Sequence, residues 1–182
     1  MRFFVTGEQN RQLLLNAIVL LFLVYMLLLC VSNALMFLHK MGLSAEAVRN
    51  YYLGSPEKFT QPVSYQSLLE ITHFHLFSMG ILAVTLCHLL LFTPLSVRLK
   101  VWLSSAVYFS AVADEAGGWL VRFVHPAFAW FKLGAFLALE GSLAAMIVLV
   151  GLSLLRQRSR HELNPHRRKG HARRGKRPEN RE

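Results

Sequence analysis

Between positions 66 and 92 an apolar run carries four ionisable side chains, Glu70, His73, His75 and His88. Such groups are costly to hold at membrane depth and tend to mark sites. Neutral imidazole ligates both haem iron and bare metal ions, so three histidines on one spanning segment point to cofactor binding. On a helix turning ~100° per residue, His73 and His88 project within about 60° of each other, while His75 points away from both. The rise between His73 and His88 is ~22 Å, which puts one near each membrane surface. Gly80 lies between them on the same broad face, where a missing Cβ would admit a flat ligand or a second helix.

Histidines elsewhere could complete a site. His39, at the end of the first apolar segment, and His125, between the third and fourth, fall on the same side of the membrane as the start of the 66–92 segment. Either could pair with His73 or His75. No histidine opposes His88, so a second ligand there would be Met26 or Met146, an open position or a group from another subunit. One haem b therefore fits the ligand supply better than two. The same His73, His75, His39 and His125 could instead hold copper, zinc or iron near the outer surface. Arg122, within one turn of His125, could pair with a haem propionate, although an arginine at a helix C-terminus is also favoured by the dipole and by snorkelling.

With its two histidines about two membrane leaflets apart, the 66–92 segment resembles the ligand-bearing helices of membrane-bound dihaem b-type cytochromes. The resemblance covers that one helix and the spacing of His73 and His88. It implies an outer haem at His73, an inner one at His88, and electron transfer across or out of the membrane, often to or from quinone.

Carboxylates form a second constellation. Asp114 and Glu115 stand in Ala113-Asp114-Glu115-Ala116-Gly117-Gly118, deep in the third apolar segment, and Glu140 is comparably deep in the fourth. A bare charge is disfavoured there, so these groups should be protonated, paired or turned to a polar cavity. They could form a proton path beside a redox site, bind a metal, or pair two helices, aided by close packing at Gly117, Gly118, Gly134 and Gly141. Glu70 has its own two readings. It lies three residues after Ser67 in a capping-box pattern, and Glu70-Ile71-Thr72-His73 matches one half of a di-iron carboxylate site whose other half is missing from the sequence.

The elements that must position these residues follow from composition. The chain has 182 residues, 54% of them hydrophobic, too apolar for an ordinary soluble domain. Four segments, 13–38, 66–92, 99–124 and 127–155, each meet the ~20 residues needed to cross a bilayer, which predicts an all-α integral membrane four-helix bundle. The first is too long for a signal peptide's apolar region and lacks a small-x-small cleavage site, so it reads as an anchor. Arg2 and Arg11, then Arg98 and Lys100, then a tail with more than half of the 20 basic residues must share one face. That predicts both termini in the cytoplasm of a bacterial cell, a protein of the cytoplasmic (inner) membrane, and an outer loop over 39–65. Within that loop 43–52 reads as a short amphipathic helix capped by Ser44 and ended by Gly54.

The tail 159–182 is basic, polar and aperiodic, predicting disorder. The net charge of +10 is accounted for by topology and anionic lipid headgroups rather than nucleic acid. His161, His166 and His171 read as solvated, and Cys30 and Cys87 as packing residues, with no disulfide framework or CxxC motif. No nucleophile triad, phosphate loop or zinc-protease motif occurs, which sets aside hydrolases and ATPases. The expectation is an electron-transfer subunit acting with quinone or a partner oxidoreductase. The alternatives are an outer-face metal-binding or transport-accessory protein and a cofactor-free structural subunit, and any of these could form a homo-oligomer.

Overall fold

In the computed structural model the described residues are 3–57 and 59–162, with side chains described from 11 to 156 apart from position 58. They form α1 (Phe3–Lys40), α2 (Ala45–Leu53), α3 (Tyr65–Leu91), α4 (Val97–Phe123), a 3₁₀ turn (Pro126–Phe128) and α5 (Ala129–Glu162). No strand occurs among them; the nearest approach is an isolated bridge between Ser55 and Thr60. Of the tail expected to be disordered from 159, residues 159–162 instead continue α5, because the helical hydrogen-bond ladder runs on past the apolar span, and the rest lies outside the described residues.

Local chemistry sets the helix starts. Ser44 Oγ accepts from Ala47 N at 3.1 Å and opens α2, and Gly54 closes it at φ 81°. A Cβ at Gly54 would stand 2.6 Å from Thr60 O, so the turn requires glycine. The start of α3 corrects the sequence reading. Ser64, not Ser67, is the N-cap, with its Oγ accepting from Ser67 N at 3.1 Å, and Glu70 accepts from Gln66 Nε2 at 3.0 Å instead of closing a capping box. Ser64 precedes the first helical residue in an extended conformation, the geometry a cap needs; Ser67 is already inside the helix.

Among the described residues three segments are long and apolar enough to cross a membrane: Arg11–Lys40, Tyr65–Leu91 and Pro126–Arg156. α4, which carries Arg98, Lys100, Asp114, Glu115 and Arg122, is the long helix without such a stretch. Its sidedness compensates. Asp114, Ser110, Gly117 and Gly118 are buried, whereas Trp102, Phe109 and Val112 are exposed, Phe109 by 76%. The inward face thus holds the polar Ser110 and Asp114 among buried Leu103, Val107 and Val121 while the outward face is apolar, unlike a surface helix in water.

α4 packs along α5 and α3, α1 along α5, and α2 lies across α4 and α5 at one end of the bundle. Near α2 the core contains Phe37, Val48, Tyr52, Leu68, Val121 and Phe136, with the Phe37 and Phe136 rings stacked at 3.7 Å between centroids. At the far end it contains Leu23, Met26, Leu86, Leu90, Leu103 and Met146. α1 is the most peripheral helix, with Leu13, Leu14, Leu21 and Leu28 all more than 60% exposed. An apolar surface this extensive is what a hydrocarbon solvent selects.

Candidate functional site

α4 delivers two adjacent carboxylates to the bundle interior, and each meets a base from a different helix. Glu115 Oε1 stands 2.6 Å from His75 Nδ1 of α3. Asp114 Oδ1 accepts from Lys132 Nζ of α5 at 2.7 Å, and Lys132 also donates to the Asp114 carbonyl at 3.0 Å. The Asp114–Lys132 pair is buried, with both side chains about a tenth exposed or less. A third arm links α3 and α4. Thr72 hydrogen-bonds Glu115 and accepts from Trp119 Nε1 at 2.9 Å.

Glycine makes this convergence possible. A Cβ at Gly117 would come 2.9 Å from Lys132 Cα and one at Gly118 would come 2.9 Å from the Tyr52 hydroxyl, so α4 can approach α5 and α2 only without side chains there. Gly134 and Gly141, expected to pack the same way, have nothing within 4 Å of a built Cβ; they lie on the outward side of α5, and their expected role is corrected. Burial pushes the Tyr52 phenol, on α2, above its ordinary range, with the nearby Asp114 charge adding to the effect.

Beside the two pairs lies a cavity of about 420 Å³ walled by all five helices, with Asn33, Tyr52, His75, Gly80, Tyr108 and Lys132 among its lining. Its volume falls in the ordinary range for small-molecule and cofactor sites. The His75 contact with Glu115 uses Nδ1, and among the described residues Nε2 makes no hydrogen bond. An imidazole oriented through Nδ1 by a carboxylate presents its Nε2 lone pair, the arrangement common around ligating histidines. Deeper in the bundle Glu140 Oε1 accepts from Asn33 Nδ2 at 2.5 Å and is hydrogen-bonded by Cys30.

The other sequence candidates are dispersed. His73 is exposed and lies edge-on to Phe74, and His88 is exposed against Phe92. His39 ends α1, exposed. His125 is exposed and caps the 3₁₀ turn, its Nδ1 accepting from Ala127 N at 3.1 Å. Arg122 ties the loop to α4 through Nε to the Val63 carbonyl at 2.8 Å and lies over Phe123. Glu70 is exposed. Among the described residues no three histidine, cysteine, aspartate or glutamate side chains are gathered for a metal ion, so His73, His75, His39 and His125 do not form one cluster. The structure thus brings together His75, Asp114 and Glu115, and adds Lys132, Thr72 and Asn33, which sequence reasoning missed. Lys132 did leave a signal: it is the one lysine or arginine between Val124 and Leu155, and a cation inside such a span calls for a buried acidic partner.

Residues 42–161 match a family, Aq_1264_TM, described as a transmembrane helical domain. The match takes in α2 to α5 and with them His75, Asp114, Glu115 and Lys132. No curated protein and no solved structure matches the chain.

Proposed function

As a member of the Aq_1264_TM family of transmembrane helical domains, the chain is a membrane protein, and we propose that it is an electron-transfer subunit holding one b-type haem in the cavity beside His75. In this reading α4 is a fourth membrane-crossing helix, its inward charges paired and its outward face apolar. Both termini and the Arg98–Lys100 link lie in the cytoplasm and α2 on the outer side of a bacterial inner membrane, as the distribution of Lys and Arg favours.

The observation that carries the proposal is His75, oriented through Nδ1 by Glu115 at 2.6 Å and set in the cavity wall, its Nε2 bonded to none of the described residues. It moves the ligand from His73, the stronger candidate by sequence, to its inward-facing neighbour. Donor supply favours haem over a bare ion: a structural zinc or copper site takes three or four protein donors, whereas a porphyrin brings its own four nitrogens and needs one or two axial ligands. Haem would supply one-electron redox chemistry. The chain's part is to hold it, with Glu115 fixing the imidazole and the Lys132–Asp114 pair placing a compensated charge nearby. Electrons would pass to or from quinone or a partner oxidoreductase.

A reduced-minus-oxidised spectrum of the detergent-purified, haem-replete full chain, with haems counted as pyridine haemochrome, tests this. The expected result is sharp α and Soret bands at about one haem per chain, lost in His75→Ala and retained in His73→Ala. A flat spectrum rejects the haem reading. Bands lost in His73→Ala but not in His75→Ala return the ligand to the outward face of α3.

A further inference from the structure

A second concavity of about 430 Å³ runs between α1 and α3, lined by Tyr25, Leu29 and Ser32 on α1 and by Phe77, Ser78 and Leu82 on α3. It shares Asn33, Met36, His75 and Met79 with the His75 cavity, so the two meet at one end. α1 and α3 both connect to α2 at the same end of the bundle and so run antiparallel. Tyr25 and Leu29 therefore lie beyond Ser32 in the same direction as Ile81 and Leu82 lie beyond Ser78. The groove is polar at its α2 end and apolar away from it.

We propose that this groove seats a lipid-soluble molecule with a hydroxyl-bearing aromatic head and an apolar tail, that is, a quinol-type compound. The polar groups select the head. Ser32 Oγ donates to the Leu29 carbonyl at 2.9 Å, Ser78 Oγ donates to the Phe74 carbonyl at 2.8 Å, and Asn33 Nδ2 donates to Glu140. With the serine hydrogens engaged within the chain, both hydroxyl oxygens offer acceptor lone pairs, while Asn33, one of whose N–H hydrogens goes to Glu140, offers Oδ1 and its second N–H. Serine acceptors on both walls match a head that donates, a hydroxyl; a carbonyl head could take the second Asn33 N–H but would leave both serine oxygens unpaired. Tyr25 and Phe77, 62% and 69% exposed, form the outer rim, so the tail can enter sideways from lipid. The site adjoins the His75 cavity but does not depend on haem being there.

The test uses the full chain in phosphatidylcholine nanodiscs and a decyl-hydroquinone probe with a photoreactive group at the end of its tail, followed by peptide mapping. Saturable labelling of the α1 segment around Tyr25 and the α3 segment around Leu82 is expected. Unlabelled decyl-hydroquinone should compete about tenfold better than decyl-quinone, and Ser32→Ala with Ser78→Ala should weaken binding by about tenfold, the effect of one or two lost hydrogen bonds. Leu29→Trp, which fills the groove, should abolish labelling while circular dichroism and gel filtration stay unchanged. Equal competition by decyl-phosphocholine would show a groove that takes any acyl chain and overturn the proposal. So would non-saturable labelling, or labelling that persists in a folded Leu29→Trp protein. The haem spectrum of the same preparation is read separately, so failure of one reading leaves the other standing or falling on its own result.

Discussion

At the end away from α2, the core is Leu23, Met26, Leu86, Leu90, Leu103 and Met146, apolar side chains with almost no exposure. At the α2 end the helices enclose His75–Glu115, Lys132–Asp114 and a cavity of about 420 Å³. Inside lipid the first arrangement is undemanding, because the surroundings are as apolar as the core and only packing is at stake. The second is demanding, since every charge must keep its partner. A bundle needing only to span would be built like its far end throughout; the polar interior near α2 is therefore where function is to be sought.

The largest expected effect comes from breaking the deeper pair. Lys132→Met leaves Asp114 buried with no cation, and removal of one partner of a buried pair costs about 3–5 kcal/mol. Unfolding in mixed detergent and dodecyl sulfate, followed by circular dichroism, should show that loss, and Asp114→Leu combined with Lys132→Met should recover most of it. If the double variant is no better than the single, the pair is not the unit that stabilises this end.

Gly117→Ala comes next. The new Cβ would stand 2.9 Å from Lys132 Cα and 3.0 Å from its Cβ, atoms close to the backbone that cannot swing aside. Overpacking of this kind costs about 1–3 kcal/mol. Gly141→Ala, which meets nothing, is the control and should raise helix stability slightly. Equal effects at the two positions would mean that α4 and α5 are not in the close contact described. In the apolar end, Met146→Ala tests the other half of the comparison. In water such truncations cost about 2–5 kcal/mol, but lipid cancels most of the transfer term, leaving packing, so the loss should sit at or below the bottom of that range and haem content should not change.

The contrast also explains what could be read in advance. Helix positions were legible because long apolar runs and Ser44, with Gly54 behind it, are local signals. The depth of Asp114, Glu115 and Glu140, and their need for partners, were legible from the cost of charge in hydrocarbon. Partner identity was not, because it depends on which helices touch: Lys132 meets Asp114 only because Gly117 lets α5 come close, and His75 meets Glu115 only because α3 is rotated to turn His73 outward. Position within a segment gave depth, while the rotation of α3 about its own axis, set by burial of Leu68, Ala83, Leu86 and Leu90, decided which of two neighbouring histidines faced Glu115 and the cavity.

That rotation leads to the smallest expected effect. His73 and His75 are two residues apart and so point about 160° from each other around a helix, one toward the surrounding solvent and one toward Glu115. His73→Leu should leave stability within about 0.5 kcal/mol of the native protein, as exposed substitutions generally do, or raise it by removing a polar group from a lipid-facing surface. His75→Leu should destabilise by stranding Glu115 beside Asp114, two carboxylates with Lys132 as their only cation. Unfolding curves of the two variants in the same detergent decide the matter. A loss at His73 matching that at His75 would mean that the outward face of α3 is covered in the folded protein, by a second copy or a partner subunit, and that the site extends across that contact.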